Sequence, residues 1–162
     1  MSCDSTPPVE KMSSITLTDS VEEAQFSKRV LIRSILLRPD GGAGLAGRTV
    51  RIGGWVKTGR EQGNGTFAFL ELNDGSCPQN LQVIVEASVH PLRKLVATGT
   101  SVHVVGELKV PPEGAKQTIE LRVKDFLHIG AVDPAKYPLP KARLTLERLR
   151  EILHLRPRTN TV

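Results

Sequence analysis

The sequence predicts an all-β domain, a small five-stranded barrel with one helix between its third and fourth strands and extra segments at both ends. Three observations carry this. Five stretches alternate apolar and polar residues with the period of two expected of strands that bury one face. They come in the order strand, strand, strand, helix, strand, strand, with turn-forming residues between them. The first stretch holds a glycine pair, Gly53–Gly54, of the kind that marks a bulge or bend where a barrel strand turns a corner.

Size and composition bound the reading. With 162 residues, 39% of them apolar, the chain can bury one domain-sized core. No apolar run approaches the roughly 18 residues that span a bilayer, so no membrane partner is expected. The start lacks the basic-then-apolar order of a secretory signal and is too acidic for a transit peptide. Cys3 and Cys77 form neither a disulfide framework nor a metal spacing, and read as free thiols in a reducing compartment, the cytosol. His90, His103, His128 and His154 are scattered, so neither a metal site nor a catalytic triad is expected. Residues 1–25 carry five carboxylates and one lysine, a net charge of −4. The overall +5 therefore leaves +9 to residues 26–162. A basic body behind an acidic leader suits a polyanionic partner, and equally a basic protein without one.

Taken in order, residues 1–25 are rich in Ser, Thr, Pro and Glu and read as a disordered acidic leader. Residues 26–47 form a basic extension, in which FSKRVLIRSILLR suits either a short helix or a strand and PDGGAGLAG breaks regular structure. The barrel is expected over 48–130. Its first strand, RTVRIGGWVKT, places Val50 and Ile52 on one face and Arg51 on the other. REQGNG reads as a turn-rich loop. In TFAFLELN, Ala68, Leu70 and Leu72 face the core, with Phe67, Phe69 and Glu71 opposite. NDGSCPQN is a second loop. LQVIVE turns Leu81, Val83 and Val85 inward, and Gln82, Ile84 and Glu86 outward. VHPLRKLVATG has near-helical apolar spacing closed by Gly99, and SVHVVGELKV and QTIELRVKDFLHIG complete the strands. This is the order of the oligonucleotide-binding (OB) barrel, whose second and third strands form the binding face. Residues 131–162 read as a proline-stiffened linker followed by an amphipathic helix with Leu146, Leu149 and Leu153 on one stripe.

The outward face carries the chemistry. Exposed Phe67 and Phe69 rings can stack unpaired bases, at about 1–3 kcal/mol per base. The Gln82 amide offers donors and an acceptor to a base edge. Arg60, in the loop before the second strand, can bond a base edge, stack, or hold a phosphate. Together they form a minimal kit for reading one or two splayed-out bases of single-stranded RNA or DNA. The other reading of the phenylalanines is core packing, because a slip of one residue in register exchanges the two faces.

GWV with its following arginine-bearing loop, then FAFLELNDGS, LQVIVE and YPLP…LERLREILHLRPRTN, resemble the anticodon-binding domain of the class IIb aminoacyl-tRNA synthetases, the aspartyl, asparaginyl and lysyl group. NDGSCPQNLQ and HLRPRTN are most similar to the asparaginyl branch of the eukaryotic cytosolic, plant-like kind. The match runs from about Arg48 to Asn160. The resemblance implies that the central uridine of the anticodon stacks on Phe69, that Gln82 reads neighbouring bases, and that Arg60 is the family's loop arginine. Phe67 and Glu71 share this face by alternation only. The loop is poorer in arginine than those it resembles, and Arg51, Lys57 and the basic segment 28–38 stand as compensating phosphate contacts. The resemblance also implies a partner, the anticodon stem-loop of tRNA(Asn). It implies a longer ligase, homodimeric through a catalytic domain that uses ATP and Mg, with the 162 residues alone monomeric and without catalytic residues. An aspartyl or lysyl parent, a general single-stranded nucleic-acid module and a protein-interaction module are the alternatives.

Overall fold

The computed structural model describes residues 23–139, 142 and 144–159; the acidic leader, up to residue 22, lies outside them. Five strands close into a barrel: β1 (Thr49–Gln62), β2 (Phe67–Asn73), β3 (Leu81–Glu86), β4 (Ser101–Lys109) and β5 (Glu120–Gly130). Around the barrel the order is β1-β2-β3-β5-β4. All neighbouring pairs are antiparallel except β3 and β5, which run parallel. The predicted faces hold. Val50, Ile52, Ala68, Leu70, Leu72, Leu81, Val83 and Val85 are all buried in one cluster, because period-two alternation sends each to the barrel interior.

β1 differs from its prediction in two ways. It continues through Arg60, Glu61 and Gln62, which the sequence suggested were loop; only Gly63–Gly65 form the turn, with positive φ at all three residues. Strand bonding to β2 outweighs the turn-rich composition of REQ. The bulge also lies elsewhere. Pairing with β4 runs unbroken through Gly53 and Gly54, and the register shifts between Val56 and Thr58. Gly54 serves close approach instead: a Cβ there would lie 2.8 Å from the Asn73 carbonyl oxygen. Gly59 serves the same purpose, since a Cβ would lie 2.4 Å from the Cα of Val96.

The helix between β3 and β4 is a single 3₁₀ turn, Leu92–Lys94. Pro91 supplies no N–H, and only a few residues separate it from Gly99, which adopts positive φ. Leu92 and Leu95 still reach the core, with Val89 and Val96 packed against it. The basic extension contains α1 (Ile32–Leu36). Its Ile32 and Ile35, with Val30 and Leu45, are buried in the same cluster as the barrel interior. At the other end, α2 (Leu146–Glu151) is capped by the Thr145 hydroxyl, which accepts from the Arg148 N–H at 3.3 Å. The expected Leu146–Leu149–Leu153 stripe is corrected. Leu149 and Ile152 are buried with Leu139, while Leu146 and Leu153 are exposed. The helix stops at Ile152, so its repeat never reaches Leu153. No helix among the described residues is long and apolar enough to cross a membrane.

On the outer side of β1 and β4, His103 sits beside Gly53 and across from His128. Burial disfavours its charged form, and Arg51, Arg29 and His128 repel the proton further, so its pKa lies below the usual 6.5. Two measurements check this fold. Leu70→Ala is expected to cost about 2–5 kcal/mol in chemical denaturation, because Leu70 is a buried core side chain. The His103 ring is expected to titrate below 6.5 by NMR, with the midpoint rising in Arg51→Ala. The unfolded chain takes up this proton near 6.5 and the fold resists it. The His103 contribution to stability is therefore held above that pH and lost as pH falls toward the folded midpoint.

Candidate nucleic-acid interface

The second half of β1 pairs with β2, and the register decides which side chains meet. Arg60 stands directly across from Phe69, and Glu71 directly across from Gln82 on β3. Directly paired residues share a face, so Arg60, Phe69, Glu71 and Gln82 lie on one outer surface. Phe67 joins them, with its ring edge-on to Phe69 at 5.4 Å between centroids and 89° between planes. Both rings are partly exposed, alternating along the strand with the fully buried Ala68 and Leu70. Arg60, expected in a loop, is instead an exposed strand residue whose position is fixed by the β1–β2 ladder.

The polar residues of this face are already ordered. Glu71 Oε2 accepts from Asn80 Nδ2 at 3.3 Å, and Asn80 Oδ1 accepts from Asn73 Nδ2 at 3.0 Å. Asn73 also donates to the carbonyls of Cys77 and Gln79, which pins the β2–β3 loop. Gln82 is held from two sides. Its Nε2 donates to Glu120 Oε2 at 3.5 Å, and its Oε1 accepts from Gln117 Nε2. Glu120 is 2% exposed and pairs with Arg122 Nε at 3.5 Å.

Glu120, Gln117 and Asn80 escaped the sequence reading. Alternation with Leu121 and Val123 puts Glu120 on the outward side of its strand, and that signal was available. Its place beside Gln82 comes from the parallel β3–β5 pairing, which joins strands distant in sequence.

The two phosphate candidates lie off this face. Arg51 is exposed on the half of β1 that pairs with β4, across from Val105. Lys57 donates to the carbonyl of Arg158, and its pKa lies below 10.5 through burial and then the charge of Arg158. Arg158 in turn covers Trp55, its guanidinium carbon 4.5 Å from the ring centroid. These residues wall a cleft of about 980 Å³ between the barrel and the C-terminal segment, lined also by Glu71, Asn80 and Tyr137. Cys77 is buried with a free thiol. No group of three or more His, Cys, Asp or Glu side chains among the described residues is placed to hold a metal ion.

The architecture has relatives. Residues 50–129 match the family model for an OB-fold nucleic acid binding domain of the tRNA anticodon type. The chain is 60% identical over 161 residues to the cytoplasmic asparagine–tRNA ligase 1 of Arabidopsis thaliana, covering 96% of this chain and 28% of that protein. It is 48% identical over 119 residues to the asparagine–tRNA ligase of Syntrophobacter fumaroxidans, covering 72% of this chain and 25% of that protein. Among solved structures, asparaginyl-tRNA synthetase from Pyrococcus horikoshii, complexed with asparaginyl-adenylate, is similar with a TM-score of 0.63 and 26% identity. That match covers 82% of this chain and 29% of the other. The chain thus spans less than a third of the length of these relatives. On the barrel, the matched residues and the identity across nearly its whole length, this chain belongs to the asparaginyl-tRNA synthetase family, as its anticodon-binding OB domain.

Proposed function

We propose that the outer face of β1, β2 and β3 binds the anticodon loop of tRNA(Asn), with Phe69 stacking the central uridine and Gln82 hydrogen-bonding base edges. The observation that carries this is the register. It sets a cation, Arg60, directly beside the stacking ring of Phe69, and a polar pair, Glu71 and Gln82, one step further along the same face. A base stacked on Phe69 lies within reach of all three. Phe67 supports the Phe69 ring edge-on and widens the apolar platform. Arg60 supplies charge, or a planar group, to the nucleotide backbone or base. Arg51 and Lys57 would add attraction for the RNA backbone from flanking surfaces, Lys57 after release from the Arg158 carbonyl.

The longer protein to which such a domain belongs is proposed to be a cytoplasmic asparagine–tRNA ligase, as the Arabidopsis relatives are named. ATP and Mg would serve amino-acid activation in the part of the relatives' length that has no counterpart in these 162 residues. This chain's contribution is to hold the anticodon and so select the tRNA. Every strand of the closed barrel has a partner on both sides along at least part of its length, so no whole edge strand is offered to a second copy, which supports a monomeric domain, with dimerisation of the ligase assigned to its catalytic part.

The test is binding to an anticodon stem-loop carrying GUU, compared with the same loop changed at its central uridine, at one fixed salt concentration. Phe69→Ala is expected to weaken GUU binding by about 1–3 kcal/mol, the worth of one stacked base. Its stability loss should be smaller than that of Leu70→Ala, because the ring is not a core side chain. Gln82→Ala is expected to erase the preference for uridine. Equal binding of both loops by the unsubstituted chain would refute anticodon reading on this face.

A further inference from the structure

The β1–β2 ladder breaks register once, at Lys57. Val56 pairs with Leu72 and Thr58 with Glu71, so Lys57 is the extra residue of the bulge. A bulge gives up a ladder pairing and re-aims a side chain, and such departures collect beside functional sites. This one sends Lys57 toward the C-terminal segment, where its ammonium donates to the Arg158 carbonyl. The Lys57 carbonyl in turn accepts from Thr98 Oγ1 at 3.2 Å, which holds the bulge from the connection between β3 and β4.

The same contact brings in a second cation. The Arg158 guanidinium carbon lies 4.5 Å from the Trp55 ring centroid, so the ring covers one face of the guanidinium plane. The N–H groups lie in that plane and point away from the ring, toward any acceptor at its edge. Lys57 has three N–H donors, and the carbonyl takes one. Among the described residues, neither cation has a carboxylate within ion-pair distance. Two positive groups are thus drawn together with nothing to offset their repulsion. Lys57 accordingly holds its proton less tightly than a free lysine, through burial first and the charge of Arg158 second. An anion seated between them would offset that repulsion.

Both residues wall the cleft of about 980 Å³, a volume in the range of ligand sites. The cleft is continuous with the candidate face. Glu71 and Asn80 line it, and Glu71 is paired with Gln82. The outward residues of β2 step from Phe69 to Glu71 to Asn73 by about 7 Å each, and Asn73 is paired with Trp55. A strand of RNA leaving a base on Phe69 in this direction passes directly into the cleft. Glu71 is the only carboxylate among the described residues that line it, and it accepts from Asn80.

We propose that the cleft is a second RNA subsite, in which Lys57 and Arg158 together hold a phosphate of a nucleotide flanking the anticodon triplet, with Trp55 setting the plane of the Arg158 guanidinium. The inference rests on the anticodon reading proposed above for the adjoining face. The subsite recognises a charge at a fixed position and no base. Its loss therefore lowers affinity and leaves the preference for uridine intact.

The experiment measures binding of the 162-residue chain to GUU anticodon stem-loops at one salt concentration. In each loop a single phosphate, on one side of the triplet or the other, is replaced by an uncharged methylphosphonate. One position should weaken binding by the unsubstituted chain about tenfold or more, the worth of a hydrogen bond to a charged group. In Lys57→Gln and in Arg158→Gln, the unmodified loop should bind more weakly, and the methylphosphonate at that position should add little further loss. The two residues stand 101 positions apart, so a folding defect in one variant would not be shared by the other. Both variants should keep the preference for uridine. If the two side chains only tie the C-terminal segment to the barrel, or if the cleft takes protein instead of RNA, no phosphate will depend on them. A kept uridine preference without such a phosphate overturns this inference alone. Equal binding of the GUU loop and the loop changed at its central uridine by the unsubstituted chain overturns the anticodon reading, and this inference with it.

Discussion

β1 is bonded to β4 along its first half and to β2 along its second, with Trp55 paired to Ser101 on one side and Asn73 on the other. A small barrel needs such a shared strand, because five strands close only if one of them crosses from one sheet to the next. The crossing is tight. The backbone passes so near Asn73 and Val96 that neither Gly54 nor Gly59 has room for a Cβ. The bulge at Val56 to Thr58 then resets the inside–outside phase, so that Gly59 faces inward and Arg60 outward, opposite Phe69. Barrel closure and the assembly of the candidate base-binding face are therefore one geometric event.

The second closure, the parallel pairing of β3 with β5, brings Glu120 beside Gln82. Burying a carboxylate is costly unless it is paired and hydrogen-bonded. Among the described residues, Arg122 and the Gln82 amide meet part of that cost, and the Glu120 Oε1 oxygen has no hydrogen-bond partner. A core built for stability alone would place an apolar residue at this position. The charge instead gives direction to a neighbouring amide, that of Gln82, whose Nε2 donates to it.

The flanking segments are part of the same structure. The Ile32 N–H donates to Asp74 Oδ2 at 2.9 Å, and the Arg33 N–H donates to Ser76 Oγ at 3.0 Å, so the β2–β3 loop caps α1. That loop is the one Asn73 pins beside Glu71. On the C-terminal side Lys57 donates to the backbone carbonyl of Arg158, and Trp55 lies under its guanidinium. Both flanking segments are thus tied, at Ile32–Arg33 and at Arg158, to residues adjoining the candidate face, and that face sits on a frame wider than the barrel.

Alternation along each strand was enough to name the inward and outward residues of β2 and β3, because the period of two is a local property of an extended chain. That made the all-β class legible from the sequence, and with it the Phe69 and Gln82 surface. Motif resemblance added the family. Local rules failed where tertiary pairing outweighed composition: REQ became strand, a near-helical repeat shrank to one 3₁₀ turn behind Pro91, and the terminal helix stopped before Leu153. Residues joined by pairing across the barrel, Arg60 with Phe69 and Gln82 with Glu120, were set only by the closed structure. Which strands become neighbours depends on long-range closure, and no local periodicity records it.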